Sequence, residues 1–190
     1  MSSSILALEL CLRLEPGSPL RSELHQLVAT HPSTSSPGLK WQLLRRVSEL
    51  LAASEHLFEL GCWDFFDDDE RARADFEMWS NGMITEEGAR TEPSGEPHPP
   101  GQQRYMTFTV AILLEQGSEC ERYLAQLCET PQDQLWDRAA FLKVIQGLVY
   151  VNYAFVKADV LYVIPGDESW GLTQEDLDAK KFDYLRPIRN

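Results

Sequence analysis

The chain is written twice, and a duplicated pattern admits few folds. A shift of one hundred residues brings Leu14, Glu15, Gly17, Ser18, Leu24, Gln26, Leu27 and Thr30 onto Leu114, Glu115, Gly117, Ser118, Leu124, Gln126, Leu127 and Thr130. Unrelated segments of this length share about one residue at typical composition. The physical pattern repeats more widely than the identities. Leu6, Leu8, Leu10, Leu12 and Leu14 alternate as one face of a strand, and Met106, Phe108, Val110, Ile112 and Leu114 do the same. Each strand breaks at a glycine, and Ser18-Pro19 and Ser118-x-x-Glu121 are helix-start signals.

The helices that follow carry apolar residues on one side, at Leu20, Leu24, Leu27 and Val28 and at Cys120, Leu124, Leu127 and Cys128. A second helix in each half repeats the stripe Leu43, Leu44, Val47, Leu50, Leu51 as Phe141, Leu142, Ile145, Leu148, Val149, now at a shift of ninety-eight. At that shift Phe58 to Phe66 lies against Val156 to Ile164, both rich in β-branched or aromatic residues. Acidic residues then open a further helix in each half, at Asp67 to Glu70 and at Thr173-x-x-Asp176.

This pattern predicts an α/β (α+β) two-layer sandwich. Two strand-helix-helix-strand units, related by a pseudo-twofold duplication, form a four-stranded, mainly antiparallel sheet with helices on one face. Residues 1–84 make the first half and 104–190 the second, within one domain. The stretch 85–103, with Pro93, Pro97, Pro99 and Pro100, reads as a flexible tether. A chain of 190 residues with 43% hydrophobic content is long enough for one sizeable core. Even-numbered strand positions are almost uniformly apolar, whereas odd ones mix Glu9, Arg13, Glu59, Thr107, Thr109, Lys157 and Asp159 with Trp63, Leu161 and Val163. That outer face is expected to be covered by the acid-started helices, with a second copy as the alternative. Trp63, Leu161 and Val163, together with Tyr184 and Arg186 of the basic C-terminal stretch, are the candidate interaction surface. The stretch itself is expected to dock on the acidic body.

A net charge of −13 and a pI near 4.7 make phosphate backbones and anionic lipid poor partners, so no nucleic acid is expected. No run approaches the ~18 apolar residues of a membrane span, and no basic region precedes the first apolar stretch. Neither membrane insertion nor export is expected, and the location expected is cytoplasmic. Cys11, Cys62, Cys120 and Cys128 form no Cys-x-x-Cys pair and read as free buried thiols.

The acidic run Asp64, Asp67, Asp68, Asp69 and Glu70 holds hard oxygen donors suited to calcium or magnesium. It lacks the spacing of a calcium loop, so helix capping and solvation are expected and the residues stand only as weak metal candidates. His25, His31, His56 and His98 show no metal spacing and are expected at the surface. No phosphate-binding glycine loop, nucleophile elbow or zinc-protease motif occurs, so no catalytic residue and no cofactor is assigned.

Ser35-Ser36-Pro37-Gly38-Leu39, Tyr105-Met106-Thr107-Phe108-Thr109-Val110-Ala111, Val160-Leu161-Tyr162-Val163-Ile164-Pro165, Leu172-Thr173-x-Glu175-Asp176-Leu177 and Tyr184-Leu185-Arg186-Pro187-Ile188 lie in that order along the chain. Together they resemble the cyanobacterial and chloroplast family catalogued as domain of unknown function 1517. The resemblance implies a shared fold and points to a phototroph. It supplies no catalytic residue and no reaction. The function expected is a non-enzymatic protein-binding or assembly module working with a protein partner or as a homodimer. The alternative is an enzyme or small-ligand protein with its site between the halves. A polar pocket at the pseudo-twofold axis would favour the second, and a flat apolar surface the first.

Overall fold

The computed structural model describes residues 2–31, 36–81 and 102–190. In chain order the elements are β1 (Ser3–Leu14), α1 (Leu20–Thr30), α2 (Pro37–Ala53), β2 (Phe58–Phe66), α3 (Asp69–Ser80), β3 (Arg104–Glu115), α4 (Glu119–Cys128), α5 (Arg138–Gly147), β4 (Val156–Ile164), α6 (Gln174–Leu177) and β5 (Arg186–Pro187). Residues 85–101 of the expected tether lie outside the described residues. Among the described residues no helix is long and apolar enough to cross a membrane.

Local chemistry places the element ends. Gly17 and Gly117 turn the chain out of β1 and β3 with φ of 78° and 79°, a region that penalises any side chain. In each turn the serine N–H donates to the glutamate carbonyl three residues back, Ser18 to Glu15 and Ser118 to Glu115. Ser118 caps α4 by accepting from the Glu121 N–H, while the Glu121 carboxylate accepts from the Gly117 N–H and the Ser4 hydroxyl, tying the helix to β1. Thr173 and Asp176 make a full capping box at α6.

The sheet order is β4-β3-β1-β2-β5, with every neighbouring pair antiparallel. It therefore has five strands where the periodicity predicts four. The fifth is the basic C-terminal stretch, which pairs Arg186 with Gly61 and Pro187 with Leu60. A two-residue strand containing proline has no alternation to read. The pairing of β1 with β2, from Ile5–Phe66 to Leu12–Phe58, is repeated by β3 with β4, from Thr107–Ile164 to Leu114–Val156. Each ladder slips by one residue, at the matching place on β2 and β4 (Leu60 to Phe58 and Ala158 to Val156), but two residues apart on β1 and β3, after Cys11 and after Leu113.

Leu6, Leu8, Leu10 and Leu12 of β1 share one core with Leu24, Leu44, Val47, Leu124, Phe141 and Ile145 from α1, α2, α4 and α5. Fully burying each leucine contributes about 2 kcal/mol. Helices on a single face need correction, because α3 and α6 lie across the sheet from that core. Ala72 and Trp79 of α3 pack on Ile5, Ala7, Ala111 and Leu113, while Leu177, Phe182 and Leu185 pack on Cys11. The chain thus covers its own outer face, as expected.

Trp63, Leu161 and Val163 need a second correction. They belong to the helix-side core and are 8%, 5% and 7% exposed, so their side chains do not lie on the outer face. The cause is register: Leu8 pairs with Trp63 and Val110 with Leu161, and directly opposed residues share a face. Even positions of β1 and β3 therefore face the same way as odd positions of β2 and β4.

Candidate functional site

The acidic run caps and ties α3. Asp68 accepts the Arg71 N–H at 2.8 Å, and Asp69 accepts the Ser3 N–H at 2.6 Å and the Arg73 Nε at 3.0 Å. Asp67 and Glu70 are exposed, and Asp64 is half-buried on the α3 side of β2. Among the described residues no three His, Cys, Asp or Glu side chains gather at metal-holding distance. All four cysteines are free, with Cys11 and Cys120 buried and Cys62 and Cys128 half-buried.

His31 is not a surface residue. It is 5% exposed, and its Nε2 lies 2.5 Å from Asp159 Oδ2. Lys40 Nζ donates to Asp159 Oδ1 at 2.5 Å and the Tyr153 hydroxyl to Oδ2 at 3.1 Å. Burial alone would raise the Asp159 carboxyl, but His31 and Lys40 hold it below its ordinary value. The group pins the end of α1 and the start of α2 onto β4. His25 is half-buried near Arg21, His56 is exposed, and His98 lies outside the described residues.

A second buried polar group sits on the α3 and α6 side, between the two patches that cover that face. Cross-strand pairing sets Cys62, Glu9, Thr109 and Tyr162 in one row, with Thr107 beside it. Tyr184, from the segment after α6, reaches down and donates its hydroxyl to Glu9 Oε2 at 2.9 Å. Glu9 Oε1 and the hydroxyls of Thr107, Thr109 and Tyr162 are buried without a hydrogen-bond partner among the described residues. Burial pushes the Glu9 carboxyl up to about 7, against the opposing pull of the Tyr184 hydroxyl and of the Thr107 and Thr109 hydroxyls, which adjoin the carboxyl without hydrogen-bond geometry. Glu9 is wholly inaccessible, so this group acts as an internal anchor for the C-terminal segment.

The feature open to a partner lies at the edge of the sheet. The C-terminal segment occupies a slot between β2 and residues 136–138. On one side the Ile188 N–H donates to Glu59 C=O at 3.0 Å. On the other the Arg189 N–H donates to Trp136 C=O at 2.8 Å, and Arg189 C=O accepts from the Arg138 N–H at 2.7 Å. The Arg189 guanidinium closes on Asp137 at 2.8 Å and on the Asp133 carbonyl. Because Glu59 turns its main chain toward this slot, the alternation of a strand turns Gly61, Trp63 and Phe65 the same way. Gly61 is met by β5, but the chain then leaves the edge at Leu185. No described residue pairs with the outward main-chain groups of Trp63 and Phe65.

Beside those open groups the slot continues as a groove of about 430 Å³. Trp63, Phe65, Leu135, Trp136 and Cys128 form its apolar lining, with the Trp63 Nε1 held by the Leu135 carbonyl at 3.0 Å. Asp64, Asp67 and Glu129 surround it. Burial, and then the neighbouring Asp75, hold the Asp64 carboxyl above its ordinary value, with Arg71 opposing. A separate cavity of about 370 Å³ is lined by Arg13, Arg21 and Arg104. Arg13 pairs with Glu59 at 3.5 Å and Arg104 with Gln102 and Gln103, while Arg21 feels the charges of Glu168 and Asp167; Arg13 Nε, Arg104 Nε and Arg21 Nε and Nη2 are buried without a hydrogen-bond partner among the described residues.

Tyr184 and Arg186, both chosen from the sequence, meet at this end of the molecule, one on Glu9 and the other on the β2 edge. Glu9, His31, Asp159 and the open main chain of β2 were not singled out. A lone acid among the five leucines of β1 was the available signal for Glu9; the edge itself has none. Comparison with protein-family models, with curated proteins and with solved structures finds no match.

Proposed function

We propose that this domain is a non-enzymatic protein-binding module that takes up an extended segment of its partner as an added strand on β2. The observation that carries the reading is the outward main chain of Trp63 and Phe65, unpaired among the described residues and placed beside an apolar groove. Main-chain pairing supplies affinity in such a mode and side-chain pockets supply selectivity. The two strand-helix-helix-strand halves are read as a duplication, supported by the shared antiparallel pairing, by the slips at the matching place on β2 and β4, and by the turn glycines. On that reading the halves have diverged at their edges: Asp159 of β4 is tied to α1 and α2, whereas the matching Gly61 of β2 receives an added strand.

Hydrogen exchange tests this directly. In the free protein the Trp63 and Phe65 amides should exchange faster than those of Cys62 and Asp64, which point toward β1. A peptide selected from a displayed library should slow them. Selected binders that leave both amides unprotected would sink the proposal. A second reading, a small-ligand protein with its site between the halves, draws on the unpartnered Glu9, Thr107, Thr109 and Tyr162 oxygens; their enclosure places it second.

A further inference from the structure

Resting on the strand-addition reading, we infer that the partner segment is basic and alternates cationic with apolar side chains; the chain's own Arg186-Pro187-Ile188-Arg189 combines the same two chemistries without strict alternation. That stretch already fills the neighbouring length of the same slot. Its Ile188 packs toward the helix-side core, its main chain pairs with β2 and with residues 136–138, and its Arg189 meets Asp137. The open length repeats this arrangement without an occupant from the described chain. Its helix side is apolar, at Trp63, Phe65, Leu135 and Trp136, and its surroundings are acidic, at Asp64, Asp67 and Glu129.

Charge decides between occupants. A body of net charge −13 repels an acidic strand and repels a second copy of itself. On the α3 side of the edge, Asp64 stands near Asp75 with Arg71 as the opposing cation. Two carboxylates sharing one guanidinium leave negative charge for an incoming Arg or Lys to neutralise. Because the side chains of a strand alternate, the segment that places a cation over Asp64 places its next residue in the groove. An Arg-apolar-Arg run therefore satisfies both sides of the edge at once.

The probes are two acetylated seven-residue peptides, one alternating arginine with valine and one alternating glutamate with valine, titrated into the full chain at low salt. The arginine peptide should bind and slow exchange at Trp63 and Phe65. Its affinity should fall about tenfold on combining Asp64→Asn with Glu129→Gln, and fall again as salt rises. Equal binding of the glutamate peptide at the same amides would overturn the basic partner and leave strand addition standing. Failure of both peptides, and of library-selected binders, at those amides would remove strand addition itself. Self-association that protects Trp63 and Phe65, with no peptide binding, would assign the slot to a second copy and overturn the inference. Melting curves of the double variant show whether a loss of binding is a loss of fold, and if so, each single substitution is read instead.

Discussion

Replacing Gly61 with alanine tests the packing that seats β5 beside the open edge. In an unobstructed strand, Gly to Ala stabilises by about 0.5–1 kcal/mol, because glycine gives up more freedom on folding. Here a Cβ would stand 2.5 Å from Phe141 Cε1, 2.9 Å from Cζ and 3.0 Å from Ile188 Cδ1. Ordinary carbon contacts lie at about 3.5–4.0 Å, so the ring must retreat by about 1 Å. Phe141 is fully buried in the helix-side core and has nowhere to go without moving its neighbours, whereas Ile188 follows a two-residue terminal strand and can shift. The expected result is a destabilisation of about 1–3 kcal/mol, the usual cost of overpacking. It should appear in urea unfolding as a lowered midpoint with an unchanged slope. Phe141→Leu in the same chain should recover part of the loss, so that the pair is less than additive. A neutral or stabilising Gly61→Ala, or full additivity with Phe141→Leu, would refute the close contact.

Three further outcomes are expected. The Glu9 carboxyl, raised from 4.5 to about 7, holds its proton more tightly folded than unfolded. Its contribution is full below the unfolded value and lost as pH rises through about 7, a change of roughly 3 kcal/mol that Glu9→Gln should abolish in denaturation curves from pH 5 to 8.5. Asp159 is lowered, so its contribution is present above its ordinary value and lost as pH falls through the folded one. Asp159→Ala should cost about 3 kcal/mol at pH 7 by stranding His31 and Lys40, with the gap to wild type narrowing toward pH 3; an equal gap at both would be inconsistent with the ion group. Gly17→Ala and Gly117→Ala should each cost about 1–2 kcal/mol in thermal or urea unfolding, from the same positive φ; a neutral result at either turn would contradict its conformation.

Strands and helices were legible because burial imposes a period. The stripe of α2 and its counterpart in α5 both end in the core, and Gly17, Ser118 and Thr173 mark turns and caps by local chemistry alone. Which face a strand turns inward is a property of pairs, and no single strand encodes it. Reading odd positions as one outer face put Trp63 and Asp159 on the wrong side, because the β1–β2 and β3–β4 registers join odd to even. His31 was missed for a related reason: its partner lies 128 residues away on β4, and nothing near either residue announces the other. The open edge was illegible altogether, since it consists of main-chain groups that every residue carries.

An exposed edge is a liability that proteins usually blunt with charge, bulges or cover. Here the C-terminal segment covers β2 as far as Gly61 and then stops, although Leu185 and Tyr184 could in principle have continued along the slot. They turn instead beneath the sheet, Leu185 onto the Cys11 patch and the Tyr184 hydroxyl onto Glu9. Burial of both residues far outweighs two further main-chain hydrogen bonds at about 1 kcal/mol each, because the turn also gives a fully desolvated carboxyl its hydrogen-bond donor. The polar group under the sheet and the groove at its edge are therefore one arrangement: by drawing the tail away at Leu185, Glu9 and Tyr184 set where pairing ends and where β2 is left open.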